Sequence, residues 1–285
     1  MSDAPLHALR LFVPSEALAE GRLRLGGATA TRAYVRGARP GRRLWALDGR
    51  GWAHEVRVDR ASWDRLNGTV LGRQLAPERR TKVTLLHGLL APDDTRRLVF
   101  AASSAGVIAY GPMITDRSVV PSLLAAPGIG PTAVHSEGGI DLAGLALEAA
   151  EISGRGRCPA LREPTLFDRA LDDAIRAGET IVLAESSAEA GHTEMPAPLL
   201  ERRPFALALL CPPPDGFSEA ERDRALSRGA LCVAMRPEGL AEPEEPRAEG
   251  EEASAAPRPA PPLWLALAVL DRLYEALEPA AADST

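Results

Sequence analysis

Three groups of residues have types and spacings that could do chemistry. Arg117 lies in Pro112-Met-Ile-Thr-Asp-Arg-Ser-Val-Val120. A guanidinium there could hold a phosphate or orient a base, or it is a surface arginine flanking a strand. Glu148, Glu151 and Arg155 are three and four residues apart, so on a helix they share a face. Such a set is either an ordinary helix ion pair or a substrate contact. Arg36, Arg39, Arg42 and Arg43, with Arg10 upstream, form the densest run of cations. Phosphate capture needs only such charges and weakens with salt.

Other chemistries find no support. The five histidines have no metal-ligand spacing, so no metal site is expected. No Ser or Cys sits in a nucleophile elbow. Gly128-Ile-Gly130-Pro-Thr-Ala133 imitates a dinucleotide fingerprint, but it follows no convincing strand and contains a proline.

The elements that must position these residues centre on Phe205 to Leu240. Phe205 to Cys211 is short, apolar and unbroken, as a strand buried on both faces should be. Pro212-Pro213-Pro214-Asp215-Gly216 follows, and then a helix that Ser218 can cap with Glu221 as capping-box partner. Gly229 closes that helix, and Ala230 to Met235 is a second strand, parallel to the first. Ligands of parallel sheets bind at the carboxyl ends of strands. Upstream, Lys82 to Gly88, Val107 to Gly111 and Thr180 to Ala184 read as strands. Helices are expected from Asp93 or Asp94 to Ala105, from Leu142 to Ser153 and from Leu166 to Ala177, and Ser186 to Pro198 reads as a loop. The alternation predicts an α/β parallel sheet.

Residues 7–75 read instead as a small β domain. Leu9 to Val13, Thr31 to Arg36, Arg42 to Leu47 and Trp52 to Val58 are the expected strands, with turns at Asp48-Gly49 and Asn67-Gly68. The expected domains are residues 1–76, a β-barrel, and 77–285, the α/β domain. Residues 237–262, almost all Glu, Pro, Ala and Arg, are expected to be a disordered insertion before a closing amphipathic helix from Leu263 to Leu277.

Composition is that of a globular chain, with 45% apolar and 25% charged residues. The three cysteines are far apart, there is no apolar signal core, and no apolar run is long enough to span a bilayer. A cytoplasmic, reduced protein without membrane contact is expected. The net charge of −6 is uneven: residues 1–80 carry +7, residues 81–236 carry −5 and residues 237–285 carry −8. The basic third points to an anionic partner, with nucleic acid first, or to a solvated arginine-rich surface.

Several stretches together resemble the RsmE family, SPOUT-superfamily methyltransferases acting on N3 of a uridine in 16S ribosomal RNA. They are Leu9 to Pro14, Tyr34-Val-Arg36 with Pro40-Gly41, and Leu47-Asp-Gly-Arg-Gly51. Pro112 to Val120, Leu147-Glu-Ala-Ala-Glu-Ile-Ser-Gly-Arg155 with Cys158-Pro159, and Gly216-Phe-Ser-Glu-Ala-Glu221 complete the set. The resemblance implies an N-terminal PUA-like β-barrel that grips RNA, through Arg10, Arg36, Arg42 and Arg43. It also implies a C-terminal SPOUT domain with a trefoil knot holding S-adenosylmethionine, and a homodimer bound to small-subunit ribosomal RNA. Leu183, Leu210, Gly216 and Met235, at the strand ends, would line the cofactor. Arg117, Glu148 and Arg155 would serve catalysis, on a target base flipped out of its stack.

The chain departs from the family at the cofactor loops. Where the family has Gly-Pro-Glu-Gly-Gly, this chain has Pro212-Pro213-Pro214-Asp215-Gly216, and prolines remove backbone donors. The family's Ile-Leu-Arg-Thr-Glu-Thr-Ala is interrupted after Met235-Arg236, with Arg258 and Pro259-Ala-Pro-Pro262 in its place beyond the insertion. Two readings stay open: a methyltransferase, or an RNA-binding scaffold that has lost the cofactor.

Overall fold

The computed structural model describes residues 9–118, 141–186, 195–235 and 262–278. The chain divides into two compact units, Met1–Glu78 with Gly144–Pro159, and Arg79–Ala143 with Ala160–Thr285. The helices are α1 (Gly27–Val35), α2 (Pro92–Ala105), α3 (Leu142–Ser153), α4 (Phe167–Arg176), α5 (Ala197–Arg202), α6 (Glu219–Ser227) and α7 (Pro262–Leu277). The dinucleotide-like segment, Arg236, Arg258 and the Pro/Glu insertion up to residue 261 lie outside the described residues. So does the threading on which a knot would depend.

In the first unit, β1 (Leu9–Phe12), β2 (Leu18–Ala19), β3 (Arg22–Gly26), β4 (Arg43–Leu47), β5 (Trp52–Ala61) and β6 (Arg65–Leu75) form one sheet. The order is β1-β4-β5-β6-β3-β2, with β1 parallel to β4 and the other pairs antiparallel. Alternation sorts the side chains, since successive residues of a strand face opposite sides. In β3, Leu23 and Leu25 are buried while Arg22 and Arg24 are exposed. Leu11, Leu23, Leu44, Val56, Val58 and Leu66 belong to one core.

Two expectations fail here for local reasons. Thr31 to Arg36 is not a strand but the end of α1. Ala30 and Ala33, three apart, are its buried face, and that helical period outweighs the weak alternation. Asn67-Gly68 is not a turn but lies inside β6; the chain reverses around Ser62 and Arg65, where Ser62 N donates to Arg65 O at 2.8 Å. Gly68 is required by close approach, because a Cβ there would stand 2.4 Å from Val56 Cγ1 and 2.8 Å from Arg57 O. The Asp48-Gly49 turn does join β4 to β5, with Asp48 Oδ1 accepting from Arg50 N at 2.8 Å and Trp52 N at 3.0 Å.

The second unit is a parallel sheet of β7 (Lys82–Gly88), β8 (Ala109–Ile114), β9 (Ala160–Leu161), β10 (Thr165–Leu166), β11 (Thr180–Ser186), β12 (Ala206–Cys211) and β13 (Leu231–Met235). The order is β10-β8-β7-β12-β11-β13, with β9 also paired to β8. β12 and β13 are parallel as expected, and β11 lies between them. α2 starts one residue before the expected aspartates, at Pro92, whose missing N–H costs nothing in a first turn. It ends at Gly106, whose φ of 102° is left-handed. α5 starts at Ala197, in the last two residues of the stretch expected to be loop, and runs on to Arg202, for which no helix was expected. In α7, Leu263, Ala266, Leu270, Leu273 and Leu277 form the buried stripe, and the helix packs on α2, β11, β12 and β13.

His87 near the end of β7 is buried, its ring centroid 4.6 Å from that of Tyr110. Its Nδ1–H donates to Gly88 O at 2.6 Å, while Nε2 has no partner among the described residues. Burial holds its pKa down at about 4, against an ordinary 6.5. The unfolded chain therefore takes up a proton that the folded chain refuses. This contribution to stability is complete above pH 6.5 and is lost as pH falls from 6.5 towards 4. Urea denaturation across that range is expected to show stability declining by up to about 3 kcal/mol, and the decline is expected to flatten in His87→Gln.

Candidate functional site

At the carboxyl ends of β11 and β12 the second unit encloses a cavity of about 500 Å³. Small-molecule sites run from about 300 to 1,000 Å³. Its walls are Ala184, Glu185 and Ser186 from β11, the whole of Pro212 to Phe217, Arg222 from α6 and Leu265 from α7. The proline loop does not fill this space. Pro212 and Pro213 are buried beneath it, while Pro214 and Asp215 are exposed. Pro213 seats on the end of β7, where a Cβ on Gly88 would lie 2.4 Å from Pro213 N and 2.6 Å from its Cδ. Only glycine permits that approach. Gly216, at φ 78°, turns the chain out of the loop, its N–H donating to Pro213 O at 2.9 Å.

The loop is fastened by one carboxylate. Ser218 caps α6 in a complete capping box: Glu221 N donates to Ser218 Oγ at 3.1 Å, and Ser218 N donates to Glu221 Oε2 at 2.9 Å. Glu221 is nonetheless wholly buried, because its other oxygen accepts from Asp116 N at 2.8 Å. Ser218 Oγ donates in turn to Asp116 Oδ2 at 2.7 Å. Ser118 Oγ accepts from Thr115 N at 2.9 Å, closing the turn. Arg117, exposed, reaches over the loop and donates from Nη1 to Asp215 O at 2.7 Å. Thr115 to Ser118 and Asp215 to Glu221 are thus one hydrogen-bonded body.

The cavity's polar wall holds an ion pair. Glu185 is mostly buried and accepts from Arg222 Nε at 2.7 Å and from the Cys232 thiol at 3.1 Å. Burial and then Glu185 push that thiol up to about 12, so it remains a donor. The cavity wall thus carries two carboxylates, Glu185 and Asp215, against one guanidinium, Arg222, already paired with Glu185.

The expected cofactor residues separate by position. Gly216 lines the cavity. Leu183 and Leu210 are wholly buried in the core with Leu86, Phe167 and Leu171, one and two positions short of the cavity wall. Met235 is half-buried at the end of β13, paired with Ser186. Glu185, Ser186 and Arg222 were missed. The strand-end rule, applied to β11 as it was to β12, points to Glu185 and Ser186. The role of Glu221 beyond its capping box had no signal in the sequence.

In the first unit, Glu148, Glu151 and Arg155 do not share a face. Glu148 is exposed, Glu151 is buried, and Arg155 lies past the end of α3, beyond Gly154 at φ 75°. Glu151 Oε1 accepts from Phe12 N at 2.7 Å and from Arg32 Nη2 at 2.8 Å, and Oε2 pairs with Arg36. Arg10 Nη1 donates to Ile152 O at 3.2 Å. Arg10 and Arg36 are therefore engaged in holding α3. Arg39 donates to Tyr34 O and Ala38 O, Arg43 pairs with Glu55 at 2.7 Å, and Arg42 is exposed. The densest arginine run is thus not one surface cluster, because Arg36, at the end of α1, is drawn onto Glu151 while Arg39, Arg42 and Arg43 stay exposed.

A family model described as an RNA methyltransferase domain matches residues 77–240. No curated protein matches the sequence. Among solved structures, ribosomal RNA small subunit methyltransferase E from Neisseria gonorrhoeae, bound to S-adenosyl methionine, has a TM-score of 0.69 at 19% identity, over 94% of this chain and 97% of that one. A protein from Legionella pneumophila in complex with SAM has a TM-score of 0.66 at 17% identity, over 94% and 98%. At such identities the likeness shows the fold: an N-terminal, mostly antiparallel sheet and a C-terminal parallel sheet. Among the described residues no group of His, Cys, Asp and Glu could hold a metal, and no helix is long and apolar enough to cross a membrane.

Two substitutions test the two fastenings. Glu221→Ala strands Asp116 N and opens the capping box, and hydrogen exchange of the 115–118 and 216–221 amides is expected to speed together, with a stability loss of about 2–3 kcal/mol. In Glu151→Gln the loss of the buried charge is expected to cost about 2 kcal/mol, seen as earlier unfolding of the first unit, since Arg32 and Arg36 keep partial access to water.

Proposed function

Because the chain belongs to the RNA methyltransferase domain family, whose model matches more than half of it, we propose that it methylates N3 of a uridine in small-subunit (16S) ribosomal RNA, with S-adenosylmethionine as methyl donor. The observation that carries this reading is the cavity at the carboxyl ends of β11 and β12, walled by a loop locked to Thr115 to Ser118. The two SAM-bound structures of the same fold lend it support.

The residues fit such a ligand in a particular way. The prolines leave few backbone donors, so the ligand is held by shape and by charge: Glu185 and Asp215 supply the carboxylates, and Gly216, the one expected cofactor residue on the cavity wall, turns the loop around it. When bound, S-adenosylmethionine supplies a methyl group on a positively charged sulfur. Arg117, anchored on Asp215 O, holds an RNA phosphate or the base edge at the mouth. Glu148 and Arg155 add substrate contacts from the first unit. Catalysis is then mainly positioning of a flipped-out base. Residues 1–76 grip the RNA, Arg42 and Arg43 among the contacts, residues 77–285 hold the cofactor, and the working form is a homodimer.

Calorimetry with S-adenosylmethionine is expected to give saturable binding in the micromolar range, weakened about tenfold or more in Glu185→Gln. Nucleoside analysis of small-subunit ribosomal RNA treated with the protein and cofactor is expected to show 3-methyluridine. Calorimetric silence would instead favour a scaffold that has lost the cofactor.

A further inference from the structure

The hairpin tip between β5 and β6 carries an aromatic stack that the methyl-transfer site does not use. Trp63 is 61% exposed, an unusual position for so large an apolar ring. It is not loose. Thr31 Oγ1 donates to Trp63 O at 2.8 Å, tying the tip to α1. The Tyr34 ring meets Trp63 edge-on, centroids 6.3 Å apart at 72°. The Arg39 guanidinium lies over the Tyr34 ring at 4.0 Å, fixed by its bonds to Tyr34 O and Ala38 O. A cation, a tyrosine and a tryptophan thus brace one another, with a tryptophan surface left to solvent.

The strands that meet at this tip carry exposed arginines. Register sets Arg60 opposite Asn67 and Asn67 opposite Arg24, so the three stand in a row across β5, β6 and β3 beside the tip, and all are exposed. Arg65, two residues from Trp63, has a side chain 81% exposed, with only a loose contact to Asp64 at 3.8 Å. A braced, exposed ring on a hairpin whose strands carry exposed arginines is the composition that binds unpaired nucleotides, through stacking on any base and through phosphate contact.

We propose that this tip is a docking platform for an unpaired nucleotide of the RNA substrate, its base stacked on Trp63 and the flanking phosphates held by Arg24, Arg60 and Arg65. The inference rests on the reading of the chain as an RNA methyltransferase. It adds an RNA contact in the first unit that is separate from the methyl-donor cavity.

The test is binding of the full chain to a fluorescein-labelled single-stranded oligoribonucleotide of about a dozen nucleotides, followed by anisotropy over a series of salt concentrations. Trp63→Ala is expected to weaken binding about 5- to 100-fold, and Trp63→Phe to keep most of the affinity. Arg60→Ala with Arg65→Ala is expected to lower the salt slope by about 1.4, two phosphate contacts' worth. A duplex of the same sequence is expected to compete poorly. Trp63→Ala that folds and binds like the parent overturns the platform, as does equal affinity for duplex. Loss of self-association in Trp63→Ala with RNA affinity unchanged also overturns it, marking the tip as a protein contact. The methyl-donor reading is decided separately, by calorimetry, so either can fail without the other.

Discussion

The Glu221 carboxylate is the constraint on which the cavity depends. An ionised group out of water is tolerated only when its oxygens are bonded. Here one oxygen takes Ser218 N and the other takes Asp116 N, 105 residues away. The first bond starts α6 in the right place, and the second pins the turn after β8 against the loop after β12. Arg117 then reaches Asp215 O because Asp116 is already held. The two motifs are one structure seen at two places in the chain, and a change in either is felt by both.

The triple proline has to be judged inside that frame. A glycine-rich loop gives a ligand backbone donors and close approach. The proline loop gives up the donors, and its need for close approach moves to the strand below, where Gly88 makes room for Pro213. What remains is a loop with few accessible conformations when unfolded, and so little entropy to lose on folding. Pre-organisation of that kind favours a fixed niche. Its selectivity then falls to side chains, and Glu185, itself held by Arg222 and Cys232, is the charged group best placed to provide it.

The parallel sheet was legible almost strand by strand, because buried strands are short apolar runs between helix signals, and Ser218, Glu221, Gly106 and Gly229 punctuate them as their chemistry requires. The first unit was legible only where alternation was strong. Thr31 to Arg36 failed because alternation over six residues also fits a helix whose buried face is two alanines. Gly68 failed because a glycine in sequence does not say whether it supplies a turn or room for a neighbouring strand. Leu183 and Leu210 missed the cavity by one and two residues, since the rule that finds strand ends does not say which residue has left the core.

Charge counting has the same blindness, and the arginines of the first unit show why. Arg10, Arg32 and Arg36 spend their charge on α3, two of them on the buried Glu151. Arg22, Arg43 and Arg57 stand in one register row with Thr69 across β4, β5, β6 and β3. Asp59 and Glu55 partly neutralise that row, through Arg22 at 3.0 Å and Arg43 at 2.7 Å. The neighbouring Arg24, Asn67 and Arg60 row carries no acid of its own and crosses the hairpin a few residues from Trp63. An excess of seven positive charges therefore resolves into three populations: arginines consumed by packing, arginines paired on the sheet, and a small remainder beside an exposed ring. Only the last combines free charge with a surface that can stack, and that is why the aromatic tip, rather than the densest arginine run, is where the basic third of the chain has binding capacity to spare.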